Sequence, residues 1–161
     1  MSRRWVVNAS PLIALAKTEN LPLLMVLSDE LVIPSGVSKE ILSGAEEDSA
    51  RKWISSEGNE HIVEVDIIVP TIAGWDLGRG ESEVLSYAYT HPGFEAIVDD
   101  RAARHCAESL GVPVRGTLGV LLLAKKEGRL ENVKAILGEL QKVGFRIDSG
   151  LVEKALRLAG E

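Results

Sequence analysis

Short apolar runs alternate with helical segments along this chain, and that alternation constrains its fold more than any other feature of the sequence. Runs with the composition of β-strands lie at residues 5–8, 31–33, 61–65, 94–98 and 112–114. Strands separated by helical segments pair in parallel, because the helix returns the chain to the starting edge of the sheet. The pattern therefore predicts an α/β fold with a mostly parallel sheet. The length of 161 residues fits a single domain, residues 1–161.

Helix boundaries are indicated by capping residues, prolines and glycines. These signals predict helices near residues 10–16, 20–28, 36–42, 45–56, 81–89, 101–110, 118–127, 130–143 and 149–159. Glycine-rich residues 74–80 are predicted to form the loop before the helix at 81–89. We expect residues 131–161 to pack on the domain or to bind a partner.

Composition and charge exclude several classes of protein. Acidic residues outnumber basic ones by 24 to 18, and the net charge of −6 argues against a protein that coats nucleic acid by neutralising phosphates. A nuclease stays compatible with this charge, since metal ions supply positive charge locally. The single cysteine, Cys106, excludes an intrachain disulfide framework and a cysteine zinc cluster. Since the sequence has neither the ~18-residue apolar run of a membrane helix nor a signal peptide, we expect a cytoplasmic protein.

Polar side chains follow two of the predicted strands. Asn8 ends the first strand, and Asp99 and Asp100 follow the apolar run Ala96-Ile97-Val98. Ligand sites of parallel sheets lie beyond the carboxyl ends of the strands, so these three side chains are candidates for a shared site. The alternative is structural: Asn8 starts a turn, and one aspartate caps the next helix.

Helical spacing places two glutamates on apolar faces. Glu81 shares a stripe with Val84, Leu85 and Ala88, whereas Glu83, rotated by roughly 200°, is predicted to face solvent. The alternative for Glu81 is a favourable charge at a helix N-terminus.

Glu40 lies beside Val37 and Ile41, while Ser38 and Lys39 are predicted to be more exposed. A carboxylate on an apolar face is costly unless it is paired or bound to a metal. The alternative partner is an arginine, Arg101 or Arg104.

The candidate side chains all carry oxygen ligands, so they would form a single metal site if the fold brings them together. We expect an oxygen-rich pocket formed by Asn8, Glu40, Glu81, Asp99 and Asp100, a ligand set that Mg²⁺ and Mn²⁺ prefer. The three histidines have no metal-binding spacing, and phosphate-loop and dinucleotide motifs are absent from the sequence.

Five segments, in this order and spacing, resemble the PIN-domain ribonuclease family, and in particular a subfamily of unknown function related to the toxin nucleases of toxin–antitoxin pairs. The segments are residues 7–13, 33–40, 77–81, 98–104 and 116–119, and the resemblance covers roughly residues 4–130. It implies a three-layer α/β/α sandwich and a metal-dependent endoribonuclease that uses Mg²⁺ or Mn²⁺. Asn8, Glu40 and Glu81 would take the first three acidic positions, and Asp99 or Asp100 the fourth. The resemblance also implies a homodimer that an antitoxin peptide silences. The crowded aliphatic residues Leu21, Leu23, Leu24 and Val26 favour an oligomer surface or, as the alternative, a helix buried on two sides.

Asn8 is the departure from the family, because most catalytic members carry aspartate at that position. An amide oxygen can ligate a metal but adds no negative charge, so a catalytically weak or inactive domain that binds RNA or a protein partner is the alternative function. The candidates for RNA contact are Ser10, Arg79, Arg101, Arg104 and Thr117. For the arginines, pairing with the surplus acidic residues is an equally good interpretation.

Overall fold

A parallel sheet forms the centre of the protein. The computed structural model describes residues 2–44 and 49–161. The strands in these ranges are β1 (Arg4–Val7), β2 (Glu30–Pro34), β3 (Ile62–Val63), β4 (Phe94–Ile97) and β5 (Val114–Arg115). Helices flank the sheet and give the three-layer α/β/α arrangement that the sequence predicted. They are α1 (Ala9–Lys17), α2 (Pro22–Leu27), α3 (Ser35–Leu42), α4 (Ser49–Ile54), α5 (Pro70–Ala73), α6 (Arg79–Thr90), α7 (Arg101–Ser109), α8 (Thr117–Lys126), α9 (Val133–Lys142) and α10 (Ser149–Leu158).

The order of the strands creates a crevice at one edge of the sheet. The strands lie in the order β3-β2-β1-β4-β5, and all of the pairs are parallel. From β1 the chain moves outward through β2 and β3, and then returns to place β4 on the other side of β1. Ligands bind where the strand order reverses in this way, which here is beyond the carboxyl ends of β1 and β4. Asn8 lies at that point, and its backbone N–H donates to Ile97 O at 3.0 Å.

Burial on both faces explains why the strands read as continuous apolar runs. Trp5, Val6 and Val7 of β1 are fully buried. The indole Nε1 of Trp5 donates to Glu95 Oε1 at 2.9 Å, and that oxygen also accepts from Arg115 Nε at 3.0 Å. The polar atom of the buried indole is therefore hydrogen-bonded, as buried polar groups require.

Most of the predicted elements are present, with shifted ends. The predicted strand at 61–65 is reduced to β3, and a 3-10 helix (Glu57–His61) precedes it. Residues 45–48 of the predicted charged helix lie outside the described residues, and α4 forms its remaining part. Helix α6 begins two residues earlier than predicted, within the glycine-rich segment, and the short helix α5 was not predicted.

Intrachain contacts account for most of the apolar surface of α2. Leu21, Leu23, Leu24 and Leu27 are buried, and Val26 is 49% exposed. The crowding of leucines, which in the sequence alone favours an oligomer surface, is therefore largely explained by packing within one chain. A homodimer stays a prediction from the family resemblance.

The last two helices pack onto α8. In α9 the side chains of Val133, Leu137 and Leu140 are buried, whereas Ala155 is the one buried residue of α10. In the described ranges, no helix has both the length and the apolar character needed to cross a membrane.

Candidate functional site

Two adjacent cavities lie along the carboxyl edge of the sheet. The first, here called the acidic cavity, has a volume of about 260 Å³ and is lined by Asn8, Ala9, Ser10, Ile13, Ala14, Lys17, Glu40, Glu81, Val143, Gly144 and Phe145. The second cavity, of about 630 Å³, includes Glu95, Asp99, Arg104, Arg115, Gly116, Arg146 and Lys154 in its lining. Phe145 lines both. The connector between α9 and α10 therefore lies at the boundary of the two cavities.

Asn8 is the most deeply buried polar side chain of the acidic cavity, with 1% of its surface exposed. It is the N-cap residue of α1, yet its side chain makes no capping hydrogen bond. Instead Nδ2 donates to Glu81 Oε1 at 3.3 Å. Since a carboxylate only accepts, this bond turns the amide carbonyl away from Glu81. Asn8 Oδ1 is buried without a hydrogen-bond partner among the described residues.

The unpartnered oxygen of Asn8 and a carboxylate oxygen of Glu40 both lie close to Gly80. A Cβ atom added at Gly80 would lie 3.1 Å from Glu40 Oε2 and 3.2 Å from Asn8 Oδ1. The first turn of α6 thus brings its backbone against oxygens from two other elements. Only glycine leaves that space open.

Glu40 and Glu81 form the carboxylate pair of the acidic cavity. Burial, with a smaller contribution from the negative charge of Glu81, raises the pKa of Glu40 above its ordinary value. The carboxylate of Glu40 has no hydrogen-bonded or ion-paired partner among the side chains of residues 2–44 and 49–161, so the arginine pairing considered from the sequence is not observed. The residue as a whole is exposed, contrary to the predicted burial on the apolar face, so the desolvation that raises the pKa is local to the carboxylate, which lies against Gly80 in the acidic cavity.

The structure contradicts the predicted solvent exposure of Glu83. Its side chain is 3% exposed and accepts from Gly36 N at 2.9 Å and from the Nε of Arg79. The prediction is wrong because α6 is buried on several sides, with Ser82 and Ser86 buried as well as the predicted apolar stripe. Ser38 is likewise buried, contrary to its predicted exposure.

The aspartates after β4 have separate roles. Asp99 lines the second cavity, where its two carboxylate oxygens accept from Thr117 N at 2.8 Å and Thr117 Oγ1 at 2.6 Å. Asp100 is the N-cap of α7 and accepts from Ala103 N at 2.9 Å, which is the structural alternative considered for one of the two aspartates. The structure therefore brings Asn8, Glu40 and Glu81 into one cavity and leaves Asp99 and Asp100 outside it.

The donor set of the acidic cavity fits a hard divalent cation. An unpartnered amide oxygen and two carboxylates are oxygen ligands of the kind that Mg²⁺ and Mn²⁺ bind. Within the described ranges, no three side chains of histidine, cysteine, aspartate or glutamate are grouped closely enough to hold a metal by themselves. The contribution of Asn8 would therefore be needed to complete three protein ligands.

The predicted RNA-contact residues are dispersed around the two cavities. Ser10 is exposed in the lining of the acidic cavity, and Arg101 is exposed on α7. Arg79 forms an ion pair with Glu83, which is the pairing alternative considered from the sequence. Half-buried Arg104 lines the second cavity, with Nη1 donating to Val98 O at 3.4 Å, and Thr117 is fully buried against Asp99.

Phe145 lines the acidic cavity but was not predicted from the sequence, whereas Lys17, which also lines it, is one of the basic residues that the sequence offers for contact with RNA phosphates. Lys17 lies on the face of α1 that also carries Ser10, seven residues away, so helical periodicity relates the two. Phe145 belongs to a connector beyond the resembling segments, and no local pattern indicates its position. Lys17 gives the acidic cavity a cation beside its two carboxylates.

The fold is an α/β fold of nuclease type, with a polar crevice where the strand order reverses. The chain belongs to the PIN-domain family: the sequence model of a family of unknown function described as a PIN domain (DUF3368) matches residues 4–161. The match includes the C-terminal helices, which the resemblance seen in the sequence did not cover. A search among curated proteins finds no match to this chain.

Proposed function

We propose that this protein is a metal-dependent endoribonuclease that hydrolyses RNA phosphodiester bonds, and that it is the toxin component of a toxin–antitoxin pair. The observation that carries the nuclease proposal is the acidic cavity itself. A buried amide oxygen without a partner among the described residues faces the same space as Glu40, at the reversal of strand order in a PIN domain. An orphaned buried acceptor is costly in a folded protein, and a bound cation would satisfy it.

Asn8, Glu40 and Glu81 would hold the ion, Mg²⁺ or Mn²⁺, in this proposal. Such an ion lowers the pKa of a bound water and neutralises charge on a phosphate. Asp99 and Asp100 stay candidate ligands on the strength of the sequence pattern; each oxygen of Asp99 accepts one bond from Thr117 and keeps a lone pair that could face a metal.

The protein's own groups have distinct tasks in the proposed hydrolysis. Lys17 offers positive charge to a phosphate in a cavity that is otherwise acidic. Glu40 lines the same cavity, and a carboxylate oxygen that does not hold the ion can accept a hydrogen bond from an attacking water and so orient it. Asn8 holds Glu81 through its Nδ2 and so fixes one carboxylate relative to the other.

The proposed partners are an RNA strand, a second copy of the chain and an antitoxin peptide. Arg104 and Arg101 on α7 are the RNA-contact candidates that have no acidic partner within the described ranges. We propose that the strand extends from the acidic cavity across Phe145 toward Arg104, with a base stacked on the aromatic ring.

A catalytically weak or inactive PIN domain that binds RNA or a protein is the second candidate. Two observations favour this candidate. Asn8 supplies no charge, and Asp99 lines the second cavity, where it accepts two hydrogen bonds from Thr117, rather than the cavity of the carboxylate pair. The two candidates differ in whether the protein breaks RNA when the ion is supplied.

Cleavage of total RNA, with sequencing of the newly formed ends, tests the proposal for any RNA target. The wild-type protein with Mn²⁺ should produce new ends at a restricted set of sites. Glu81→Gln should reduce their formation by at least about 100-fold, a loss in the range known for electrostatic groups of active sites. Glu139→Gln, on the exposed face of α9, is the matched control and should cleave like wild type. Ends that form equally with Glu81→Gln would assign the cleavage to another site or a contaminant.

A further inference from the structure

The carboxylate of Glu83 is buried on the side of α6 away from the acidic cavity. It is 3% exposed, although a buried charge is costly unless other groups compensate it. Its compensation comes from the start of α3 and from Arg79 on its own helix. Glu83 therefore joins two helices whose other faces carry Glu40 and Glu81.

Glu83 acts as the N-terminal cap that α3 lacks in its own sequence. Pro34 is the N-cap residue of α3 and makes no side-chain capping bond. Glu83 Oε1 accepts instead from Gly36 N at 2.9 Å, and it shares the single proton of Ser35 Oγ, 3.4 Å away, with Glu64 Oε2, which lies 3.3 Å from the same hydroxyl. The first N–H groups of a helix have no intrahelical partner, and a negative charge there is favourable.

Gly36 shows how closely the carboxylate fits against α3. A Cβ at that position would lie 2.4 Å from Glu83 Oε2, so any larger residue would displace the carboxylate. On the same pair of helices, Gly80 of α6 approaches Glu40 of α3 closely enough that a Cβ would lie 3.1 Å from Glu40 Oε2. Contacts at both glycines depend on the distance between α3 and α6.

We infer that Glu83 is a positioning residue: by capping α3 from α6, it sets the separation of Glu40 and Glu81 and thereby the affinity of the acidic cavity for a divalent cation. This inference rests on the proposed function for its metal readout. Glu83 itself does not line the acidic cavity. Its effect is indirect, through the placement of the two helices.

The test measures Mn²⁺ binding by calorimetry for the full chain and its Glu83→Gln variant. Glutamine keeps the size of the side chain but loses the charge that holds Arg79 and the start of α3. Glu83 acts on the ligands only through the placement of two helices, so we expect Mn²⁺ affinity to fall by about 10-fold, the lower end of the range for groups that contact metal ligands directly. Asn132→Ala, which deletes the N-cap of remote α9, is the matched control; it should lower the melting temperature and leave Mn²⁺ affinity unchanged.

Gly36→Ala perturbs the same contact from the opposite helix. It should weaken Mn²⁺ binding like Glu83→Gln, and the double variant should bind no more weakly than the more affected single variant, since both changes break one contact. Full Mn²⁺ affinity in folded Glu83→Gln, or additive losses in the double variant, would overturn the inference.

A second readout separates this inference from the proposed function. The crystal structure of metal-free Glu83→Gln should show α3 displaced relative to α6, with Glu40 farther from Gly80 than in wild type. If wild type binds no Mn²⁺, the metal proposal fails, while a displaced α3 still supports the positioning role. An undisplaced α3 in that case would reject it.

Discussion

Asn8 is the residue on which the chemistry of the acidic cavity depends most directly, because a neutral amide stands beside two carboxylates. We predict that Asn8→Asp tightens Mn²⁺ binding by about 10-fold or more, since it adds a charged ligand. The same change removes the N–H that Glu81 accepts, so it should lower the melting temperature of the metal-free protein. Calorimetry and thermal unfolding measure the two effects. Asn132→Asp, at a cap remote from the cavity, should change neither by much; unchanged Mn²⁺ affinity in Asn8→Asp would remove Asn8 from the site.

In the absence of a bound ion, the ionised carboxylate of Glu40 reduces the stability of the folded protein. Burial and Glu81 raise its folded-state pKa, so the folded chain binds more protons than the unfolded chain at pH values between the two pKa values. Stability then falls as the pH rises through that window. Glu40→Gln should therefore raise the melting temperature of metal-free protein slightly at pH 7 and leave it unchanged at a pH low enough to protonate Glu40 in both states. A lower melting temperature at pH 7 would show that the charge of Glu40 is stabilising.

At the scale of elements, Glu161 connects the end of α10 to the start of α9. Its carboxylate accepts from Val133 N at 2.8 Å and Lys134 N at 3.1 Å, and it pairs with Lys125 Nζ at 3.3 Å. The bond from Val133 is the largest cause of the lowered pKa of Glu161. A lowered folded-state pKa means that the stabilisation is present above the ordinary glutamate pKa and is lost as the pH falls through the lowered one.

Hydrogen exchange in the first turn of α9 measures that contact. Glu161→Gln should speed the exchange of the Val133 and Lys134 amides at neutral pH, and the difference from wild type should disappear in acid. Glu153→Gln, an exposed charge change on α10, is the control. Equal exchange in Glu161→Gln and wild type would mean that α9 keeps its first turn without Glu161.

The elements themselves were largely predictable, because the apolar runs that form β1 and β4 are local signals. Helix α6 shows where local signals fail. Gly78 and Gly80 indicate a loop, yet the helix begins at Arg79, and Gly80 in its first turn lies against Asn8 and Glu40, a contact on which the local sequence contains no information. Glu83 was misassigned for the same reason: its partner Gly36 is 47 residues away, and helical spacing contains no information on it.

The candidate site was predictable in part. Two simple rules, the end of a buried strand and an inward helical face, single out Asn8 and Glu81. The structure places both in the acidic cavity, and their role as ligands stays a prediction. Asp99 follows the same strand rule, but each of its carboxylate oxygens accepts a hydrogen bond from Thr117. Thr117 lies 18 residues further along the chain, so the strand rule does not predict this contact. Phe145 lies between the two cavities and belongs to a connector that contains no sequence motif. The division of the crevice into two cavities could therefore not be predicted from the sequence.

For the molecule as a whole, the central claim is that the acidic cavity binds one divalent cation through Asn8, Glu40 and Glu81. The parallel sheet brings these residues together from positions far apart in the sequence, which explains why they form one site only in the folded chain. Binding of Mn²⁺ to the metal-free full chain tests the claim whatever the RNA target is.

The most direct measurement is therefore a calorimetric titration with Mn²⁺. It compares the wild type with Glu40→Gln, Glu81→Gln and the Glu139→Gln control. We predict saturable binding of one ion per chain, weakened by at least about 10-fold in both cavity variants and unchanged in the control. An absence of binding up to millimolar Mn²⁺, or equal affinity in all four proteins, would contradict the account and favour a PIN domain that only binds a partner.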